Sequence, residues 1–195
     1  MYLPDPFMAR NPLRFTRNRL LSRIGAPDSE PLTLDETKLY LRIDNTNEDT
    51  LISNLITAAR ITAENWLRRS LITQTWKIAF DDGIPESIWL PMGPVTAVTS
   101  VTVVNIDGSS QLMDPSSYWL NAAKNALVMF GALIGFRIEI TYTAGYGDAT
   151  AVPQPIKLGM LSHISALYDN RGENGDVVLP EQAVGLYRPF REVRL

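Results

Sequence analysis

The chain has 195 residues, 45% of them hydrophobic and 20% charged, the range of an ordinary globular protein with one folded unit and its appendages. Its formal net charge of −3 is unevenly placed: the first 26 residues carry +4, the last ten +2, and the body between them −9. An acidic body argues against nucleic-acid binding through the folded surface, the lack of cysteine excludes disulfides and thiolate metal sites, and no apolar run reaches the about 18 residues of a membrane-spanning helix.

Residues 1–31 read as a basic N-terminal arm and linker. Arg10, Arg14, Arg17, Arg19 and Arg23 stand there against Asp5, and prolines interrupt any long helix. The arm lacks the apolar centre of a secretory signal; its arginine-rich, acid-poor composition leaves an organelle transit peptide as the other reading. Then "TLDETKLYLRI" places Glu36 three residues after Thr33, a capping box, and predicts a helix over 33–43. "DNTNED" breaks it and supplies new capping groups. The following twenty residues put Leu51, Leu55, Ala58, Thr62 and Trp66 at helical spacing, with Ile52, Ile56, Ala59, Ala63 and Leu67 alongside, so a long helix is expected over 48–69 with Arg60, Glu64 and Arg68 facing water.

From Leu71 the period shortens. "LITQTWKIAF", "VTSVTVVNIDG" and "RIEITYTAGYG" are rich in β-branched and aromatic residues and read as antiparallel strands of a β-region over 71–150. A hairpin is expected across Ala122 to Asn125. The proline-rich "DDGIPESIWLPMGPV" reads as an edge or connecting segment, since proline cannot donate to a central ladder. A third helix is expected over 154–171, with Pro155 in its first turn, Gly172 as its stop, and Ile156, Met160, His163, Ile164, Leu167 and Tyr168 on one face. Residues 173–195 form a loop and tail ending in "LYRPFREVRL", in which Pro189 limits regular helix. The fold class is α+β: a small helical bundle of two N-terminal helices and one C-terminal helix, an antiparallel β-insertion, and extended arms at both ends.

No catalytic constellation emerges. The only histidine, His163, sits among apolar neighbours, and Ser162 and Ser165 lie at spacings that do not face it on a helix, so packing is expected. "DNTNED" fails as a calcium loop, because the sixth position from Asp44 is Asp49 and the twelfth is Leu55. "AGYGD" holds one G-x-G and reads as a turn after a strand rather than a phosphate cradle. Asp81 and Asp82 read as a solvated pair. No metal, cofactor or enzymatic activity is expected.

The ordered series of helix, long helix, "LITQTW", "LPMGPVTAVTSVTV", "YTAGYG" and "VPQPIKLGMLSHISALYDNRG" resembles the head-tail connector family of tailed phages and phage-derived gene-transfer particles, also called adaptor or head-completion proteins. The resemblance covers about Leu32 to Gly172, the connector domain, and extends to the tail. It implies a non-enzymatic virion component at the head-tail junction, assembled in the host cytoplasm. Such a protein forms a ring, dodecameric in the family, beneath the portal protein, extends the DNA channel, and presents a surface to a tail-side stopper or terminator. It also implies a portal-docking C-terminal segment, here Leu186, Tyr187, Arg188, Phe190, Arg191 and Arg194, whose aromatic and arginine side chains are types enriched at binding hot spots. The N-terminal arm departs from the pattern, and its five arginines leave a second reading open: a DNA-binding or packaging-associated module.

Overall fold

The computed structural model describes residues 19–81, 87–123, 125–130, 137–170 and 179–192. In chain order the elements are β1 (Arg19–Ile24), α1 (Leu34–Leu41), α2 (Asp49–Leu67), β2 (Gln74–Asp81), β3 (Ser87–Trp89), β4 (Val95–Val104), β5 (Ser110–Leu112), β6 (Tyr118–Leu120), β7 (Ala126–Met129), β8 (Arg137–Ala144), α3 (Gln154–Asp169) and α4 (Glu181–Tyr187). The α+β class is as expected, with a fourth helix, α4, inside the stretch read as a tail. The chain divides into a helical unit, Gly25–Gln74 with Pro91–Thr96 and Thr143–Leu195, and a β-unit, Met1–Ile24 with Thr75–Leu90 and Ala97–Tyr142.

In the helical unit, α1 opens with the capping box the sequence encodes: Thr33 Oγ1 accepts from the Glu36 amide at 3.1 Å, and the Thr33 amide donates to Glu36 Oε2 at 2.9 Å. Two of the orphan amides at the helix start are thereby satisfied. The expected cap of α2 from "DNTNED" does not form. Glu48 sits at the N-cap without a side-chain hydrogen bond to the helix, accepting instead from the Tyr168 hydroxyl, while Asp49 pairs with Lys38 at 2.6 Å. Those acids tie α2 to α3 and to α1.

The core of this unit follows the predicted apolar stripes. Ile52, Ile56, Ala59, Ala63 and Leu67 of α2 pack with Ile156, Met160 and Ile164 of α3, and with Leu71, Ile72 and Val152 from the connecting chain. Arg60 and Glu64, expected in water, are instead buried, each 3% exposed. Burial is tolerated because the charges are matched: Arg60 Nε donates to Glu30 Oε2 at 2.7 Å and Nη1 to Glu64 Oε2 at 3.1 Å. Glu64 Oε1 accepts from the Leu71 amide at 2.9 Å and from Gln74 Nε2 at 2.5 Å. One helical turn thus holds both the incoming linker and the outgoing chain, whereas Arg68 is exposed as predicted.

The turn at "AGYGD" is filled by packing. Gly145 has φ +142°, and a Cβ there would stand 2.6 Å from the Ile72 carbonyl oxygen. Its amide donates to Pro94 O at 2.9 Å and the next amide, of Tyr146, to Leu71 O at 3.2 Å. These donors are consumed within the fold, so the loop offers no phosphate cradle.

In the β-unit, a sheet runs in the order β1-β2-β8-β4-β5 and a smaller one in the order β3-β7-β6. β1 pairs with β2 along its whole length, Arg19 opposite Phe80 through Ile24 opposite Thr75. Residues 19–24, read as part of the extended arm, therefore form an edge strand. β4 and β5 make a hairpin at Asp107-Gly108, where Gly108 takes φ +84° and Asp107 Oδ1 accepts from the Ser109 amide at 2.9 Å. β6 and β7 make the hairpin expected across Ala122 to Asn125, its turn closed by Asn121 Oδ1 accepting from the Asn125 and Ala126 amides. β3, from the proline-rich segment, is an edge strand as read. Asp81 is not a free acid in a loop: it lies in β2 and pairs with Arg137 Nε at 2.5 Å, while Asp82 lies outside the described residues. The buried side of this unit comprises Ile78, Ile88, Leu90, Val101, Leu127, Ile138, Ile140 and Tyr142.

Candidate docking surface

The C-terminal segment is anchored to the helical unit. Pro180 and Glu181 begin α4, Pro189 falls in the 3-10 turn Arg188–Phe190, and the chain resumes an extended path at Arg191. Tyr187 is fully buried, its ring 5.9 Å from that of Trp66 and lodged against Gly159 of α3. Burial pushes its phenol well above the ordinary tyrosine range, and its hydroxyl finds no hydrogen-bond partner among the described residues. Arg191 lies over the Trp66 ring at 4.8 Å, a cation–π contact, and the Glu192 amide donates to Leu67 O at 2.9 Å at the end of α2. Burial raises the Glu192 carboxyl's pKa, opposed by Arg69 and Arg68.

The six residues read as the docking peptide therefore divide. Tyr187 is an internal anchor, Phe190 is half-buried against the core, and Arg191 is exposed yet stacked on Trp66. Arg188 is exposed, and Leu186 is half-buried. Arg194 lies outside the described residues.

Leu186 also borders a groove that the sequence reading missed. Leu32, Leu39, Tyr40, Pro155, Leu158 and Leu161 line it with Glu36 and Lys157, enclosing a cavity of about 640 Å³. Leu39 is 81% exposed, Tyr40 41% and Leu158 42%. The signal was present in the sequence as apolar residues off the core stripe of two helices. Helical periodicity alone does not separate such a second face from noise.

Among the five arginines of the N-terminal arm, only Arg19 and Arg23 are described. Both lie in β1, where Arg19 sits over the Trp89 ring at 5.2 Å. Arg10, Arg14 and Arg17 lie outside the described residues. His163 is buried in α3 as a packing residue; burial lowers its pKa, and its Nδ1 has no hydrogen-bond partner among the described residues. Among the described residues no group of three or more histidines or acids could hold a metal ion, and no helix is long and apolar enough to cross a membrane.

Residues 31–115, which begin just before α1 and run past β5, match the family model for phage gp6-like head-tail connector proteins. The resemblance read from the ordered segments is thus borne out, and the described fold has counterparts among solved structures. A chain of the neck of an empty gene transfer agent (GTA) particle, computed with C6 symmetry, is similar over 90% of this chain and 97% of its own at 22% identity, with a TM-score of 0.76. A chain of the virion of the native particle has the same identity and coverages and a TM-score of 0.74, and one from the native neck computed with C12 symmetry has 23% identity, the same coverages and a TM-score of 0.72. No curated protein matches the chain.

Proposed function

We propose that this protein is a structural component of the neck of a phage or phage-derived particle, a connector at the head-tail junction and not an enzyme. The observation that carries this reading is the connector-family match over residues 31–115. The likeness of the whole fold to neck chains is consistent with it. In this reading copies of the chain close into a ring beneath the portal, the ring extends the DNA channel, and a tail-side stopper or terminator attaches below. A closed ring requires two different faces per subunit that complement each other. A chain with a helical unit and a β-unit can supply two such faces.

Portal docking is assigned to the surface around α4, with Arg188 offering charge to carboxylates and Leu186 an apolar contact, and to Arg194 further along the C-terminal segment, which offers a second charge. Tyr187 serves this surface from beneath, as the residue that positions α4. The test is a pull-down of portal-bearing heads with full-length protein and with Arg188→Glu/Arg194→Glu. Loss of capture by a variant that unfolds at the wild-type temperature supports the assignment, and undiminished capture overturns it. Deleting Leu186 to Leu195 is the poorer experiment, because it removes a core tyrosine along with the surface. Electron microscopy of particles at the head-tail junction tests the ring itself.

A further inference from the structure

Among the described residues, the larger sheet of the β-unit ends in two different edges, β1 on one side and β5 on the other. An edge strand presents backbone donors and acceptors that a further strand can pair with, and proteins commonly guard such edges with charge. Here the charges on the two edges are opposite. β1 carries Arg19 and Arg23, while β5 is flanked by Asp107 and Asp114 in a stretch, 78–123, that holds no lysine or arginine. Hydrogen bonds from the Ser109 hydroxyl and amide and from the Ser116 amide and hydroxyl hold the two carboxyls below their ordinary range, so both are ionised at neutral pH.

The apolar residues of the two edges also correspond. Leu20 and Ile24 of β1 are 68% and 49% exposed, and Leu112 of β5 is 69% exposed. Side chains alternate across a strand, so the register assigns each to a face. Leu21 stands opposite the buried Ile78, which turns Leu20 and Ile24 to the other face; Leu112 stands opposite Thr102, between the buried Val101 and Val103, and takes that other face too. All three leucine and isoleucine side chains therefore project from the same, outer side of one sheet. Two copies of one edge do not match, because β1 against β1 sets arginines against arginines and like charges across a strand pair are destabilising. β1 against β5 joins opposite charges and brings Leu20 or Ile24 beside Leu112. A contact between two different edges repeats from copy to copy, as a closed ring requires. We infer that β1 of one copy pairs along β5 of the next, continuing the larger sheet across the subunit boundary. This pairing rests on the connector reading and supplies the seam of its ring.

The chain has no cysteine, so introduced ones report cleanly. Leu20→Cys, Ser22→Cys or Ile24→Cys is combined in turn with Ser110→Cys, Gln111→Cys or Leu112→Cys in the full-length protein, which is captured on portal-bearing heads and oxidised. Within one chain β1 and β5 stand four strand spacings apart, about 19 Å, too far for a disulfide. A ladder of cross-linked multimers is expected from at least one doubly substituted chain, and none from a singly substituted one. Charge reversal supplies the second measurement. Added to the cross-linking chain, Arg19→Glu/Arg23→Glu or Asp107→Arg/Asp114→Arg, each shown to be folded by circular dichroism, should lower the ladder about tenfold. An equal mixture of the two should recover it, since each variant's edges then meet opposite charges on the other. Bound wild-type protein whose cysteine combinations give no ladder, or a ladder indifferent to charge reversal, overturns the pairing and leaves the connector reading standing. Cross-links from chains substituted in β1 alone would make the contact symmetric and also overturn it. Wild-type protein that fails to bind the heads overturns the connector reading, and the pairing with it.

Discussion

The Tyr187 ring occupies the space above Gly159 so closely that a Cβ on that glycine would lie 2.4 Å from the tyrosine Cε1. A helix interior ordinarily gains from glycine to alanine, by roughly 0.5–1 kcal/mol. Here the gain is outweighed, because a clash with a ring held on all sides costs about 1–3 kcal/mol. Gly159→Ala should therefore lower the urea midpoint despite its better helix propensity. Tyr187→Phe should be neutral or stabilising by about 1 kcal/mol, since it removes a buried hydroxyl that has no partner among the described residues. A stabilised Gly159→Ala would mean that α4 is free to lift away.

This contact also marks the limit of what the sequence discloses. Thr33 and Glu36, the stripe from Ile52 to Leu67, the hairpin turn across Ala122 to Asn125 and the proline-led α3 are local signals, each governed by residues within one or two turns of one another. Arg60, Glu64 and Tyr187 are settled by partners 30, 10 and 28 positions away in Glu30, Gln74 and Gly159. Amphipathic spacing assigns a charged residue to water by default, and only the fold reveals a buried partner. The basic aromatic tail was legible as a contact element. That its tyrosine faces inward depended on a glycine in another helix, and the groove depended on three separate elements meeting.

The buried pair on α2 should be unforgiving. Arg60→Met leaves Glu64 without its guanidinium in an apolar setting, and breaking a buried ion pair from one side costs about 3–5 kcal/mol. Burial already raises the Glu64 pKa above its usual value of 4.5, against the hydrogen bonds that lower it. The folded state thus binds the proton more tightly than the unfolded state, and this group's contribution to stability declines as pH rises from 4.5 through its folded pKa. Losing Arg60 widens that window. The deficit of Arg60→Met, measured by urea unfolding, should be larger at pH 7 than at pH 4.5.

His163 gives the opposite slope in a different range. Burial depresses its pKa below the usual 6.5, so the folded state holds the proton less tightly than the unfolded chain. Its stabilising contribution is complete above 6.5 and is lost as pH falls through the folded pKa. As the only histidine of the chain it can be followed directly by its ring proton resonances. Stability should fall between pH 6.5 and 5 in the wild type and fall less in His163→Leu. Identical slopes in the two proteins would show that the imidazole is not desolvated.

Gly145 should be the least replaceable residue of the turn at the end of β8. Its φ of +142° is a conformation L side chains rarely adopt, and the Ile72 carbonyl oxygen and carbon and the Thr73 Cα all lie within 2.7 Å of where a Cβ would stand. These neighbours are backbone, fixed by the Tyr146 amide donating to Leu71 O and the Thr73 amide donating to Gly147 O at 2.9 Å. Neither can yield without breaking the hydrogen bonds that join the start of β2 to the end of β8. Gly145→Ala should then cost about 2–4 kcal/mol, combining backbone strain with overpacking. Gly108→Ala is the contrasting case: its φ of +84° carries strain but open space surrounds it, so its cost should stay near about 1 kcal/mol. Thermal unfolding of the two variants side by side separates the close approach from the dihedral alone. Equal losses would show that the contact with Ile72 relaxes freely.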